Sequence, residues 1–284
     1  MYWRYLLKRL LHGQAHRNVK LYAMKAASYL WSLILGNYSA RAPECFKYRL
    51  AVTAIIKNES RYLSEWIDYH LLVGIEHFYL YNNGSTDSTA EVLKPYIESG
   101  TVSLIDFPGQ VKQLPAYHDA LHRYMNECKY MAFIDADEFL RPLDRNLSVY
   151  DIADRVISSV VIINPRRVIF FMSPHYVSHI HGNYIVDEQG RQHGTAPSVY
   201  TPQNICIHHY FTKSKAEWIE RRSLGKADIV HIDKAAFRSI DDFYASDYKN
   251  VYDDSMLYYA GKLKLTTYQA QPKQAHSSPD NLPQ

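Results

Sequence analysis

The chain has 284 residues and a formal net charge of +3, with hydrophobic residues at 47% and charged residues at 21%. That length suits one domain of roughly 200 to 250 residues with extensions, and the near-neutral balance excludes a nucleic-acid binder that works by bulk charge. Three widely spaced cysteines, Cys45, Cys128 and Cys206, form neither a C-x-x-C metal pattern nor a disulfide framework, so a reducing compartment is expected.

Residues 1–43 differ from the rest. Arg4, Lys8, Arg9, Arg17, Lys20, Lys25 and Arg41 are interleaved with aromatic and aliphatic residues, and no acid appears before Glu44. This basic amphipathic extension suits a helix lying on an anionic membrane surface, or a helical hairpin packed on protein. Its apolar part, near residues 30–35, falls far short of the roughly 20 residues that span a bilayer, and no secretory signal is evident.

The domain is expected over residues 44–265. LAVTAII at 50–56 reads as a buried strand, and Lys57-Asn58-Glu59-Ser60 as the loop after it. Residues 61–73 have helical apolar spacing, with Gly74 placed for a stop. EHFYLYN at 76–82 reads as a second strand. Asn83-Gly84-Ser85-Thr86-Asp87 is a turn into a helix, which Ser85 or Thr86 would cap and Gly100 would end. A third strand at 101–107, a helix at 113–126 and a fourth strand at 129–134 complete an alternating strand–helix order. That order implies a parallel Rossmann-like half with right-handed crossovers.

The fourth strand runs into Asp135-Ala136-Asp137-Glu138. An extended backbone would put the two aspartates on one side, about 7 Å apart. They would then share Mn²⁺ or Mg²⁺, or form a solvated strand end. Glu138 would point away from them. Ligands of open α/β sheets bind at the carboxyl ends of the strands, so the three loops at 57–59, 82–87 and 135–137 should share one rim. The chain has neither G-x-G-x-x-G after its first strand nor a G-x-x-x-x-G-K-[ST] loop.

Beyond residue 141 the pattern is less regular. Strands are expected at 156–163 and 167–172, a hairpin over 182–194, and a strand at 205–211. That last strand carries His208 and His209 on opposite sides. His179-x-His181 lacks a cysteine or acid at zinc spacing and reads as loop histidines. Residues 214–224 form a helix with a Ser214–Glu217 capping box. Its basic end, Arg221-Arg222, reads either as a phosphate or acidic-acceptor contact or as favourable charge at a helix C-terminus. A tail over 266–284, rich in Gln, Ser and Pro, is expected to be disordered.

The stretches IIKNESRYLSEWIDYHLLVGIEHFYLYNNGSTD, QLPAYHDAL, YMAFIDADEFL and IHHYFTKSKAEWIERR resemble glycosyltransferases of the family 2 / family 92 type. The resemblance covers roughly residues 48–265 and implies a GT-A fold: α/β, a mostly parallel sheet flanked by helices, with an added antiparallel part. It implies transfer of a hexosyl group from a nucleotide-sugar donor, a UDP-sugar, to a hydroxyl of a glycan or lipid-linked glycan acceptor. By the same resemblance Asp135 and Asp137 are the D-x-D that holds Mn²⁺ or Mg²⁺, and His209 is the late histidine that completes the metal site. Lys57, Asn58, Glu59, Asn82, Asp87, Gln113 and Asp135 would contact the donor. His208 stands where Asn is common, Asn82 where Asp is frequent, and Leu224 where a basic residue is usual.

Such enzymes usually invert the anomeric centre, so a carboxylate must take the acceptor's proton. Asp228 is the first candidate, with Glu188, Asp187 and Glu138 as rivals. Two other classes compete: a non-catalytic nucleotide-sugar-binding or scaffold protein, and a nucleotidyltransferase, which would normally carry a glycine-rich loop where Lys57-Asn58-Glu59-Ser60 stands. The expected location is cytoplasmic, peripheral at the inner membrane face.

Overall fold

The structure is a computed structural model that describes residues 45–155, 162–173, 176–179, 185–186, 192–193, 203–224, 240–247 and 253–263. The extension at 1–43, the tail at 266–284, His181 and the carboxylates Asp187, Glu188 and Asp228 lie outside the described residues.

The first half alternates as expected: β1 (Tyr48–Ile56), α1 (Ser60–Leu72), β2 (His77–Asn82), α2 (Thr89–Glu98), β3 (Val102–Asp106), α3 (Gln113–Tyr124) and β4 (Cys128–Phe133). β1 is buried along nearly its whole length because helices cover both faces of a parallel sheet. After α1, Gly74 takes φ +99°, a left-handed turn in which a Cβ would come within 2.8 Å of Ser148. Gly100 ends α2 with φ +76°.

The central sheet has the order β3-β2-β1-β4-β6, where β6 is Ile162–Ile163. β1 pairs in parallel with β2 and β4, and β2 with β3. β6 runs antiparallel to β4. Ala51, Tyr79, Tyr81, Tyr117, Met131 and Phe133 form a buried core on one side of this sheet.

The chain then adds antiparallel pairs. β5 (Glu138–Pro142) pairs with β11 (Ile205–His209), setting His209 opposite Glu138. β7 (Val168–Ser173) pairs with β8 (Tyr176–His179), and β9 (Ile185–Val186) with β10 (Gln192–His193). α4 (Val149–Arg155) follows β5, while α5 (Lys215–Leu224) and α6 (Ile240–Asp247) follow β11. Residues 253–263 form a separate unit that contains α7 (Leu257–Lys262). No described helix is long and apolar enough to cross a membrane.

Two strands were not anticipated, and β5 matters most for the site. One of its edges pairs with β11. Side chains of α1 meet its main chain elsewhere: Trp66 Nε1 donates to Glu138 O at 2.8 Å and the Tyr69 hydroxyl to Leu140 O at 3.0 Å. Leu140 N–H donates to His70 Nε2 at 3.3 Å. Positions 66, 69 and 70 are one face of a helix. That face serves β5 where a strand would otherwise have to.

Candidate functional site

Three loops at the carboxyl ends of β1, β2 and β4 supply the rim. Between the first two, the polar side chains bind one another. Asn58 adopts φ +56°, a left-handed conformation that Asn tolerates better than most residues. Its Oδ1 accepts from Thr86 N at 2.8 Å, and its own N–H donates to Ser85 Oγ at 3.0 Å. Asn82 Oδ1 accepts from Ser85 N at 2.9 Å.

Asp87 joins two helix starts. One oxygen accepts from Ser60 N at 3.1 Å, the other from Thr89 N at 3.1 Å and Thr89 Oγ1 at 2.5 Å. Burial opposes ionisation of Asp87, but hydrogen bonds from Thr89 and Ser60 outweigh it and hold its pKa below the ordinary carboxylate value. Asp87, rather than Ser85 or Thr86, therefore supplies the start of α2. Lys57 is exposed on this rim.

The third loop departs from expectation. β4 ends at Phe133, and Ala136-Asp137 form a turn closed by Glu138 N–H donating to Asp135 O at 3.0 Å. The aspartates therefore flank a reversal instead of alternating along an extended strand. An Asp at the first position of a tight turn is a recognised signal that the apolar run around it obscures. Glu138 turns back into the loop: its Oε2 accepts from Asp135 N at 2.9 Å, and the residue is 7% exposed.

Asp135 Oδ1 accepts from Gln113 Nε2 at 3.1 Å, so the first residue of α3 fixes that carboxylate. Gln113 Nε2 also lies 3.4 Å from the Tyr117 hydroxyl. Burial first, and then the negative charge of Asp135, push the Tyr117 hydroxyl well above its ordinary pKa, so it stays a neutral phenol.

The antiparallel pair β5–β11 brings in the histidine. His209 Nε2 lies 3.6 Å from Asp137 Oδ1, and its Nδ1 lies 4.0 Å from Glu138 Oε1. Tyr210 N–H donates to Asp137 O at 2.8 Å, locking the turn to the end of β11. The Asp137 carboxylate beside it raises the His209 pKa above its ordinary 6.5, against the effect of burial. The neighbouring histidine faces elsewhere: His208 Nε2 accepts from Arg141 Nε at 2.8 Å.

Two donors on one cation with bonds of about 2.1 Å stand about 3.0 Å apart at an octahedral ion and about 3.4 Å apart at a tetrahedral one, so Asp137 and His209, at 3.6 Å, would share Mn²⁺ or Mg²⁺ after closing by a few tenths of an ångström. Asp135 is drawn towards Gln113, and no group of three or more His, Cys, Asp or Glu is gathered for a metal among the described residues.

Glu59 is placed differently from a free donor contact. Its Oε2 accepts from Lys213 Nζ at 2.8 Å, with both side chains largely buried. Sequence reasoning did not single out Lys213. Its one visible sign is its place in HYFTKS, between His209 and the capping serine. That capping box is present: Ser214 Oγ donates to Glu217 Oε2 at 2.6 Å, and Glu217 N–H to Ser214 Oγ at 3.3 Å.

Residues 52–161 match the model of Glycosyltransferase family 92. A Glycosyltransferase family 92 protein of Ricinus communis is 31% identical over 94 residues, which is 33% of this chain and 16% of that protein. Galactan beta-1,4-galactosyltransferase GALS2 of Arabidopsis thaliana is 37% identical over 35% of this chain and 21% of its own length. Beta-1,4-galactosyltransferase galt-1 of Caenorhabditis elegans is 28% identical over 37% of this chain and 28% of its own. The chain thus spans less than a third of these relatives' length. Among solved structures, S. aureus TarS 1-349 in complex with UDP aligns at a TM-score of 0.31 and 15% identity, over 38% of this chain and 32% of that one. Mycobacterium tuberculosis glucosyl-3-phosphoglycerate synthase with Mn²⁺ and UDP aligns at 0.25 and 20% identity, over 32% and 34%. The family match ends before β11, so His209 and Lys213 rest on this chain's own geometry.

Proposed function

We propose that the protein is a GT-A glycosyltransferase that moves a hexosyl group from a UDP-sugar to a hydroxyl of a glycan or lipid-linked glycan. The observation that carries this reading is the turn at Asp135-Ala136-Asp137 meeting His209 at the carboxyl end of a parallel sheet, within and beside the family-matched segment. UDP-galactose is the first donor to try, because two of the relatives are named galactosyltransferases.

In this reading Asp137 and His209, with Asp135 beside them, hold Mn²⁺ or Mg²⁺. The ion supplies charge neutralisation on the leaving diphosphate. Gln113 holds the Asp135 carboxylate in place. The loops built by Asn58, Asn82 and Asp87 present the nucleoside rim, with Lys57 exposed towards solvent. Transfer inverts the sugar: the acceptor oxygen bonds to the anomeric carbon as that carbon's bond to the diphosphate oxygen breaks. Asp228 takes the hydroxyl proton, with Glu188 as its rival. Residues 1–43 dock the enzyme peripherally on the cytoplasmic face of a membrane carrying the acceptor.

Isothermal titration with UDP, with and without Mn²⁺, tests the site. The expected result is binding that needs the metal and is lost in Asp137→Ala. Equal binding without metal would remove the Asp137–His209 assignment.

A further inference from the structure

The N-terminus of α1 and the N-terminus of α5 interlock. Glu59 caps α1: its carbonyl accepts from Tyr62 N and Leu63 N, both at 3.1 Å. Its carboxylate receives Lys213 Nζ at 2.8 Å across 154 residues of sequence. The side chains are 14% and 10% exposed, so the pair is largely withdrawn from water. Lys213 Nζ also sits 4.6 Å from the centre of the Tyr62 ring. Arg61 lies 3.9 Å from Glu217, the acid of the α5 capping box.

Lys213 adopts φ +49°, a left-handed conformation uncommon for a lysine. It lies four residues after His209, on the segment that leaves the site. Glu59 lies next to Asn58, whose side chain organises the β1 and β2 loops. The ion pair therefore joins the donor-side loops to the strand that carries His209. Such a pair is sensitive to loss of one partner, because the other charge is left buried.

We propose that Lys213 is a positioning residue, and that Glu59 serves the site by holding Lys213 instead of touching the nucleotide. The latch holds the segment that follows His209 against the loop of Asn58, and through that placement sets the affinity for a metal-bound diphosphate. This inference rests on the nucleotide-sugar reading of the site.

The test is a double-mutant cycle on UDP affinity in Mn²⁺, by titration calorimetry, with melting temperatures alongside. Glu59→Gln and Lys213→Met should each weaken UDP about tenfold, and the double variant no further than either one. Lys213→Arg, which keeps the charge, should recover most of the affinity. If Glu59 contacts the nucleoside directly, Glu59→Gln weakens UDP and Lys213→Met does not; that result overturns the latch. So does a fall in melting temperature with UDP affinity unchanged, the mark of a purely structural pair. If Lys213→Met fails to fold, Lys213→Gln takes its place in the cycle: a loss of UDP affinity matching that of Glu59→Gln supports the latch, and unchanged UDP affinity refutes it. A wild-type chain that does not bind UDP at all removes the nucleotide-sugar reading, and the latch with it.

Discussion

His70 gives the sharpest stability prediction. It is fully buried among Trp66, Tyr69, Phe78 and Phe139. Leu140 N–H donates to Nε2, so Nε2 must be the unprotonated nitrogen, and Nδ1–H donates to Trp66 O at 2.7 Å. A second proton would face the Leu140 N–H inside an apolar shell. Burial accordingly pushes the pKa from 6.5 down to about 3.

Above pH 6.5 neither the folded nor the unfolded state takes the proton, and this group adds no pH dependence. Below it the unfolded chain is protonated while the folded one stays neutral. Stability then falls by up to about 1.4 kcal/mol per pH unit until the folded value is reached. Between about pH 7.5 and pH 4.5 that is roughly 3 kcal/mol, or on the order of 6–12 °C in melting temperature for a domain of this size. His70→Phe keeps the ring but leaves Leu140 N–H without its acceptor, at a cost of about 1–3 kcal/mol near neutral pH. The variant should melt lower than wild type near pH 7.5, and the gap should shrink or reverse by pH 4.5. Urea titrations at both pH values give the difference curve. Parallel profiles for the two proteins would refute the reasoning, because the remaining titrating groups are common to both.

Asp137→Asn should cut turnover by about a hundredfold or more, equivalent to roughly 3 kcal/mol of transition-state stabilisation, with the melting temperature near wild type; an unchanged rate in a metal-replete assay removes Asp137 from the site. Asp228→Asn should abolish transfer and leave metal-dependent UDP binding intact, and an active variant would exclude it as the base. Ser214→Ala removes the oxygen that accepts from Glu217 N–H, and should cost about 1 kcal/mol in urea unfolding. Liposome flotation of the full chain against one starting near Pro43 tests the extension; equal partitioning onto anionic vesicles ends the membrane reading.

The parallel half of the fold was legible because its signals are local. Apolar runs, helical spacing and the stops at Gly74 and Gly100 place each element within a few residues. The turn at 135–138 was hidden by the apolar residues on either side, which made Asp135 and Asp137 look like alternate positions of one strand. β5 was missed for a related reason: its partner β11 is remote in sequence, and its other contacts come from Trp66, Tyr69 and His70. No periodicity within residues 138–142 records that support. The aspartates and His209 could be named from motif, whereas the reversal of Glu138 into the loop and the Glu59–Lys213 pair appear only in three dimensions. Many tyrosines find a similar account, since Tyr69, Tyr79, Tyr81, Tyr96 and Tyr130 each donate a hydroxyl to a main-chain oxygen or a carboxylate.

The measurement that bears most directly on the central claim is nucleotide release from a panel of UDP-sugars, with Mn²⁺, membrane-derived glycan acceptors, and the wild-type chain beside Asp137→Asn. The account predicts acceptor-stimulated release of UDP from one sugar, led by UDP-galactose, and its loss in the variant. Tight UDP binding with no release from any donor or acceptor would contradict it, and would mark the chain as a binding protein on a transferase fold.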